Sequence, residues 1–300
     1  MKTNKILVSA FAFSIAFASF TSCSSDSSSL PPIGGYNNAD EVAASSLKAY
    51  WPLNGNGKEE ESNTLPTNTV NTTYVDGIKG QAASFNYGYM AYPEITALNT
   101  TSGSASISAW VKVSNNKVNP AAVSTTSPIF SLTRTGEAFG NLNLMAETHG
   151  LTTSDSIQMK GVFRIKNADG TEFGGDAVNM IKQEPWMDAT HTWAANKIGG
   201  QWAHVVYVYD GPTATNRIYV NGAKISNSAW EVRNGGAAKN LNPFLPTRAV
   251  IGALETVVNG TNVDTWNAAL KGQVDELRFY DKTLTTAEIG ALYELELAGR

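Results

Sequence analysis

The sequence predicts an all-β protein of two packed antiparallel sheets with one short C-terminal helix. Three observations support the prediction. About a dozen short segments alternate apolar and polar residues with a period of two, and turn residues separate them. Asn221-Gly222 is the strongest hairpin signal, because a type I′ turn needs positive φ at both central residues. Thr285 and Glu288 form a capping-box pattern before Ile289, which predicts the helix.

The strands follow from β-branched and aromatic runs. Leu47 to Leu53 is predicted as the first strand, and the Asn and Gly residues at 54–57 end it. Ser104 to Val113 alternates most clearly, with Ile107 on one face and Trp110 on the other. The other predicted strands are 78–85, 89–92, 128–132, 141–145, 157–165, 204–209, 216–220, 250–254 and 271–280.

Three segments interrupt the strands: 171–199, 226–246 and 255–269. Loops longer than about 12–15 residues in a compact domain are usually functional or disordered. These three segments carry tryptophans, so we expect them to be ordered. They are therefore the first place to look for a binding site.

The first 22 residues have the pattern of a targeting segment. Lys2 and Lys5 make a positive start, and the apolar run from Ile6 to Phe20 is too short to span a membrane comfortably. Cys23, the only cysteine, follows in a string that resembles a bacterial lipobox, with Phe20 where Leu is usual. We expect a signal peptide over 1–22 and lipidation of Cys23. The alternative is an ordinary secretory signal with an incidental cysteine.

Residues 23–46 are rich in Ser, Pro and Gly and are predicted to be a tether, which leaves 47–300 as the folded domain. Ser24 stands where an Asp would favour retention in the inner membrane. We therefore expect an outer-membrane lipoprotein, at the periplasmic face or the cell surface. The membrane contact is expected to be through the lipid anchor only.

The composition excludes some classes of function. The net charge is −4, charged residues make up 16% and no basic run occurs, so nucleic acid is not an expected partner. A single cysteine excludes an internal disulfide, and the domain must be stable through packing alone. One large β-domain is expected for 300 residues, and we expect a monomer.

Five strings in order resemble the segments of one known family. They are Ala49 to Asn56, Gly77 to Asn86, Ile107 to Val111, Trp202 to Gly222, and Gly272 to Tyr280 with the helix that follows. Together they are similar to the laminin-G-like branch of the concanavalin A-like lectin/glucanase superfamily, over about Leu47 to Leu295. The resemblance implies a jelly-roll sandwich of two curved antiparallel sheets, of the concanavalin A-like type. It does not imply an activity, because that fold carries lectins, hydrolases and spacer modules.

The sequence offers no catalytic residues. A retaining glycosidase needs two carboxylates about 5 Å apart, and the laminarinase-type members of the superfamily carry them as Glu-x-Asp-x-x-Glu. This sequence has no such string. Asp275 and Glu276 are neighbours in a strand and are expected to point to opposite faces. The histidines at 149, 191 and 204 lack the spacing of a metal site.

The interrupting segments predict a carbohydrate site. Sugar rings stack on tryptophan faces, while Asn, Asp and Gln bind the hydroxyl groups. The candidate ligand-binding residues are Trp186, Trp193, Trp230 and Trp266. The alternative is that each tryptophan pins its loop to the sandwich, since tryptophan is highly buried on average. Trp51, Trp110 and Trp202 belong to the family strings and are expected to pack.

A structural Ca²⁺ is the third candidate feature. The resemblance implies an ion between the first turn and the last strand, and hard cations prefer carboxylate and amide oxygens. The candidate ligands are Asn54, Asn56, Glu61 and Asp275. The first turn departs from the family pattern, and an exposed acidic turn is the alternative.

Taken together, the sequence predicts a non-catalytic, carbohydrate-binding lipoprotein of the cell envelope, whose partner is a glycan or another surface polymer. Two alternatives remain at this point. One is a glycan-degrading hydrolase, which requires two carboxylates across an open groove. The other is a structural or adhesive module that contacts proteins through an exposed apolar patch.

Overall fold

The fold is mostly β-structure. The computed structural model describes residues 30–99, 103–114, 126–147 and 155–300. Within them, the strands are β1 (Leu47–Trp51), β2 (Asn68–Asp76), β3 (Gln81–Ala91), β4 (Ala105–Val113), β5 (Thr126–Leu132), β6 (Leu142–Glu147), β7 (Gln158–Lys166), β8 (Glu172–Val178), β9 (Trp202–Asp210), β10 (Thr215–Val220), β11 (Ala223–Lys224), β12 (Ala249–Ile251) and β13 (Leu270–Tyr280). The helices are α1 (Glu255–Val258) and α2 (Thr286–Leu297), with short 3₁₀ turns between elements.

The strands form one antiparallel sheet that curls on itself. Its order is β11-β10-β9-β4-β13-β3-β12-β5-β6-β7-β8, with β1 paired to β13 and β2 paired to β3. The short β12 pairs with both β3 and β5 and so connects two layers. We name β5 to β8 the front layer, and β11, β10, β9, β4, β13, β3 and β2 the back layer. This arrangement confirms the predicted jelly-roll class.

Aromatic residues fill the space between the two layers. The rings of Phe163 and Tyr209 have centroids 4.6 Å apart and connect β7 to β9. Those of Phe130 and Phe279 are 6.1 Å apart and connect β5 to β13. Trp51, which is fully buried, lies 5.6 Å from Phe130. The burial of these aromatic side chains and their apolar neighbours is the main stabilising contribution to the fold.

The sequence patterns missed three strands: β2, β8 and the two-residue β11. β2 consists mainly of Thr and Asn. It forms because its backbone pairs with the long strand β3 along one edge, and one of its two faces stays exposed. β8 lies inside the first segment predicted as a loop and contains Gly174-Gly175. A β-carbon at Gly175 would lie only 3.0 Å from the Phe163 ring, so the glycine allows close packing there.

Part of the segment predicted as a tether belongs to the folded body. Ala39 and Val42 are buried, and they pack with Leu292 and Leu295 of α2 in one apolar cluster. Residues 23–29, which complete the predicted tether, lie outside the described residues, as does the predicted signal peptide.

Helix α2 begins where the sequence predicts. Thr285 caps it: its Oγ1 accepts a hydrogen bond from Glu288 N, and the Glu288 carboxylate accepts one from Thr285 N. The helix covers the outer face of the back layer, where Trp110 donates from Nε1 to Glu296 Oε2 at 2.9 Å. Across the described part of the chain, no helix has the length and apolarity needed to cross a bilayer.

A buried ion network joins α2 to the sheet. Arg278 on β13 is fully buried, with Nε 2.9 Å from Glu296 Oε1 and Nη2 3.0 Å from Glu276 Oε2. Its Nη1 lies 2.9 Å from Asp40, and its guanidinium stacks 3.8 Å from the centroid of Tyr50 on β1. Burial raises the pKa of the Glu296 carboxyl above its usual range, and Arg278 opposes that shift. One side chain thus holds β1, β13, α2 and the N-terminal segment together.

We predict that Arg278→Met lowers the free energy of unfolding by about 3–5 kcal/mol, because the variant leaves two carboxylates buried without their cation. The measurement is urea unfolding followed by circular dichroism. The matched control is Lys282→Met, which removes a partly exposed ion pair with Glu288 and should cost about 1 kcal/mol or less. Equal losses in the two variants would contradict a central role for Arg278.

Candidate functional site

Three of the four predicted tryptophans lie in the two long loops that follow β8 and β11. Trp186 and Trp230 have ring centroids 6.2 Å apart, although 44 residues separate them in the chain. The ring of His191 forms a triangle with them, with centroids 5.1 Å from Trp186 and 6.3 Å from Trp230. Trp193 follows two residues later, at the bridge that its backbone makes with Met180. We name Trp186, His191, Trp193 and Trp230 the aromatic cluster: the first, second and fourth are in mutual ring contact, and Trp193 is included because it lies in the same loop as Trp186 and His191.

The loops under the cluster are held by hydrogen bonds. Ser228 Oγ donates to Thr190 O at 2.6 Å, and Ser228 N donates to Thr192 Oγ1 at 2.9 Å. Asn227 is fully buried; its Oδ1 accepts from Thr192 N, and its own N donates to Val178 O at the end of β8. These bonds fix both loops to the edge of the sheet, so the cluster is built on an ordered base.

The aromatic cluster is exposed. Trp186 is 54% exposed and Trp193 is 50% exposed, which is high for a residue type that is usually buried. Trp230 is partly covered by its neighbours. Two large apolar rings therefore face solvent on ordered loops, as a ligand-stacking surface requires.

A carboxylate lies beside the rings. Asp188 Oδ1 accepts from Thr190 N at 2.8 Å and Thr190 Oγ1 at 2.6 Å, and it lies 2.9 Å from His191 Nδ1. The hydrogen bonds from Thr190 and His191 lower the pKa of Asp188 to about 2, so this carboxylate is ionised at neutral pH. The site combines stacking faces with a charged hydrogen-bond acceptor. His191 is not among the ligand-binding residues predicted from the sequence. Its position two residues before Trp193, in the same loop, is the sequence signal that could have identified it.

Trp266 lies elsewhere. Its ring stacks on Phe139 with centroids 5.6 Å apart and planes 14° apart, and both rings pack with Met145, Val162 and Leu254 on the outer face of the front layer. The structure therefore does not bring Trp266 to the aromatic cluster. Its contacts are those of a residue that pins its loop, the alternative weighed from the sequence.

Two of the four predicted Ca²⁺ ligands meet at one turn, but their oxygen atoms already bind amides. Asn54 Oδ1 accepts from Gln81 N at 2.6 Å. Asp275 Oδ2 accepts from Ile78 N at 2.7 Å and from Lys79 N at 3.2 Å, on the turn that directly precedes Gln81. Burial raises the pKa of Asp275 to about 6, against the effect of these amides. These residues do not fit a cation without rearrangement.

The other two predicted ligands, Asn56 and Glu61, are exposed. The buried carboxylate of this region is Glu59. Its oxygens accept from Tyr50 N, Glu61 N and Ser62 N at 2.8–2.9 Å, so it organises the loop. In the described residues, no three or more His, Cys, Asp or Glu side chains are grouped to hold a metal ion.

The expectation that Asp275 and Glu276 point to opposite faces of their strand is wrong. The strand pattern places them on opposite faces, whereas a β-bulge at Glu276, with φ of 47°, turns both away from the core. Neither is available for acid–base catalysis: Asp275 binds amides, and Glu276 binds Arg278 and the Tyr50 hydroxyl at 2.8 Å.

A buried Ser108–His204–Glu296 group also lacks catalytic geometry. Ser108 Oγ lies 2.7 Å and Glu296 Oε2 lies 3.7 Å from the same nitrogen, His204 Nε2, whereas a triad uses both ring nitrogens. His204 is fully buried, and burial lowers its pKa to about 3. The group packs α2 against the sheet.

We predict that 5 mM Ca²⁺ shifts the melting temperature by less than about 1 °C relative to EDTA, because the candidate oxygens already accept amide hydrogens. The measurement is differential scanning fluorimetry. A cation at 100 times its Kd would add about 2.7 kcal/mol. A rise of several degrees, removed by Asn54→Ala, would show that the turn rearranges around an ion.

Comparisons with known proteins identify the fold. Two structures that resemble this chain are the receptor-binding domain of botulinum neurotoxin mosaic serotype C/D, at 11% identity and a TM-score of 0.52, and the serotype D ligand-binding domain in complex with N-acetylneuraminic acid, at 11% identity and 0.51. The matches cover 84% and 85% of this chain but only 51% and 52% of those chains. At such identities the likeness shows the fold alone.

A third similar structure is domain 4 of an extracellular arabinanase from Geobacillus stearothermophilus, in complex with arabinotriose. It has 19% identity and a TM-score of 0.47, and the match covers 82% of this chain and 98% of that domain. No match was found among curated protein sequences. The model of one protein family matches residues 84–290, which is more than half of the chain. The chain therefore belongs to the concanavalin A-like lectin/glucanases superfamily.

Proposed function

We propose that the protein is a non-catalytic, carbohydrate-binding lipoprotein of the cell envelope. The observation that carries the proposal is the half-exposed ring of Trp186, held beside His191 and Trp230 on hydrogen-bonded loops. A sugar ring stacks its C–H face on such a ring, and the desolvated apolar area contributes to binding. Asp188 stands next to the rings as an acceptor for sugar hydroxyl groups.

The family supports carbohydrate as the ligand class. Its description joins lectins with glucanases, and the serotype D ligand-binding domain, 52% of which matches this chain, is in complex with N-acetylneuraminic acid. The exposed rings are grouped with polar and charged neighbours, which favours a sugar over the broad apolar patch expected of a protein-adhesion module.

The pairing of carboxylates supports binding without hydrolysis. On the outer face of the front layer, Lys160 Nζ lies 3.2 Å from Glu147 and 3.3 Å from Asp176, and Arg233 lies 3.1 Å from Asp176. A hydrolase needs one carboxyl group that gives up a proton and one that acts as a base or nucleophile. A carboxylate that is paired with lysine or arginine is a poor proton donor, so Glu147 and Asp176 do not suit the acid role.

The anchor belongs to the same proposal. Lipidation of Cys23, which lies outside the described residues, would fix the domain to the outer membrane, at the periplasmic face or the cell surface. Many copies on one membrane would raise a weak affinity for a repeating glycan through multivalency. We propose a monomeric domain that contacts the membrane through its lipid only.

We predict that Trp186→Ala with Trp193→Ala weakens binding of the best ligand by at least tenfold, which corresponds to about 1.4 kcal/mol. A glycan array with residues 30–300 identifies that ligand, and isothermal titration calorimetry measures Kd. The matched control is Trp266→Phe, which changes a tryptophan outside the cluster and should leave Kd unchanged. Absence of binding to every glycan by a folded domain would contradict the proposal.

We predict that Cys23→Ala releases the protein from the membrane fraction when the full chain is expressed in a Gram-negative host. The reason is that a lipid chain supplies the membrane affinity, at about 0.8 kcal/mol per buried CH₂ group. Incorporation of a labelled fatty acid in the native chain, followed by gel electrophoresis, is the measurement. A native chain without label would show that the segment is an ordinary secretory signal.

A further inference from the structure

A groove lies on the outer face of the back layer, where β4, β13 and β3 run side by side. It has a volume of about 590 Å³. Its side-chain lining includes Ser84, Asn86, Tyr87, Lys112, Lys271 and Gln273. These strands carry none of the aromatic cluster, which lies in the loops after β8 and β11.

Strand register sets the floor of the groove. Gln273 lies opposite Ser84 on one side and opposite Lys112 on the other, which makes a row across three strands. Lys271, two residues before Gln273 and on the same face, lies opposite Asn86. The floor is therefore a grid of amide, hydroxyl and ammonium groups on a rigid sheet.

The groove continues onto β2. An adjoining cavity of about 330 Å³ shares Ser84 and Asn86 and is otherwise lined by Thr69, Asn71, Thr72 and Thr73. Four neighbouring strands, at 4.7–4.9 Å between strands, give a polar surface roughly 14 Å across. That length suits an extended oligosaccharide better than a single small ion.

The groove carries positive charge on an acidic protein. Eight of the twelve lysines in the described ranges form ion pairs with carboxylates. Lys112 and Lys271 are two of the remaining four, and within the described residues no Asp or Glu lines the groove. The four stretches outside that description contain a single acidic residue, Asp26. Two cations thus share one groove without an acidic lining residue.

Their separation favours an anion. Lys271 is the diagonal neighbour of Lys112, and diagonal pairs in a sheet have Cα atoms roughly 7–8 Å apart. Like charges at this distance repel, and a negative group between them would be attracted by both. The same strands offer Gln273, Ser84 and Asn86 for hydroxyl groups.

A β-bulge places an aromatic ring at the end of the groove. Lys271 pairs with Asn86 and Leu270 pairs with Gly88, so Tyr87 is the extra residue, with φ of 54°. Positive φ is uncommon outside glycine, and bulges re-aim side chains next to functional sites. Tyr87 is 50% exposed, and Lys271 Nζ lies 5.5 Å from its ring centroid. Tyr87 supplies a face on which a sugar ring can stack.

We propose that this groove binds an anionic oligosaccharide, with Lys112 and Lys271 on its carboxylate or sulfate groups and Tyr87 against a sugar ring. The site is separate from the aromatic cluster, and the inference does not depend on binding there. It adds acidic polysaccharides to the ligands of the domain.

The test compares charged and neutral forms of the same polymers by affinity gel electrophoresis at 50 mM NaCl. The probes are polygalacturonate with its methyl ester, dextran sulfate with dextran, and polyphosphate as an anion without sugar. The variant is Lys112→Gln with Lys271→Gln. The control is Lys166→Gln with Lys239→Gln, which removes two lysines that lack ion pairs in the described chain and lie outside the groove. Thermal unfolding checks that every variant is folded.

We expect a charged polymer to bind at least tenfold more tightly than its neutral form. The groove variant should lose at least tenfold in affinity, while the control and the Trp186→Ala, Trp193→Ala variant keep it. The two pairs of probes distinguish carboxylate from sulfate. The proposal is overturned if neither charged polymer binds, if the groove variant binds as the native protein does, or if polyphosphate binds as tightly. Each of these outcomes leaves the aromatic cluster untouched.

Discussion

The buried guanidinium of Arg278 is the interaction on which the rest of the back layer depends. It pairs with Glu276 and Glu296, stacks on Tyr50 and reaches Asp40, so it connects β13, β1, α2 and the N-terminal segment. A buried cation of this kind is stable only when its partners stay in place. It therefore keeps α2 on one half of the outer face, and the other half remains open as the lysine-lined groove.

Two bulges in neighbouring strands have opposite uses. At Glu276 the bulge turns a carboxylate into the ion network, where it compensates charge. At Tyr87 the bulge turns an aromatic ring outward, next to Lys271. A regular sheet would have put each of these side chains on the other face. The same local irregularity thus contributes to stability at one position and to a proposed binding surface at another.

The two proposed surfaces differ in construction. The aromatic cluster stands on loops that are held by side-chain hydrogen bonds from Ser228 and Asn227, and its chemistry is stacking with one ionised carboxylate, Asp188. The groove lies on strands, so its residue spacing is set by the sheet itself. Binding groups on strands are held more rigidly than those on loops.

Local patterns determined much of this protein. Period-two alternation predicted β4 and the outward position of Trp110, and the Thr285–Glu288 pattern predicted the start of α2, because these signals depend on neighbouring residues only. Tertiary structure alone decided the rest. It paired the polar β2 with β3, brought Trp186 to Trp230 across 44 residues, and packed Trp266 on Phe139. Whether a tryptophan stacks on a ligand or on its own protein depends on which distant residues reach it, and spacing along the chain does not encode that.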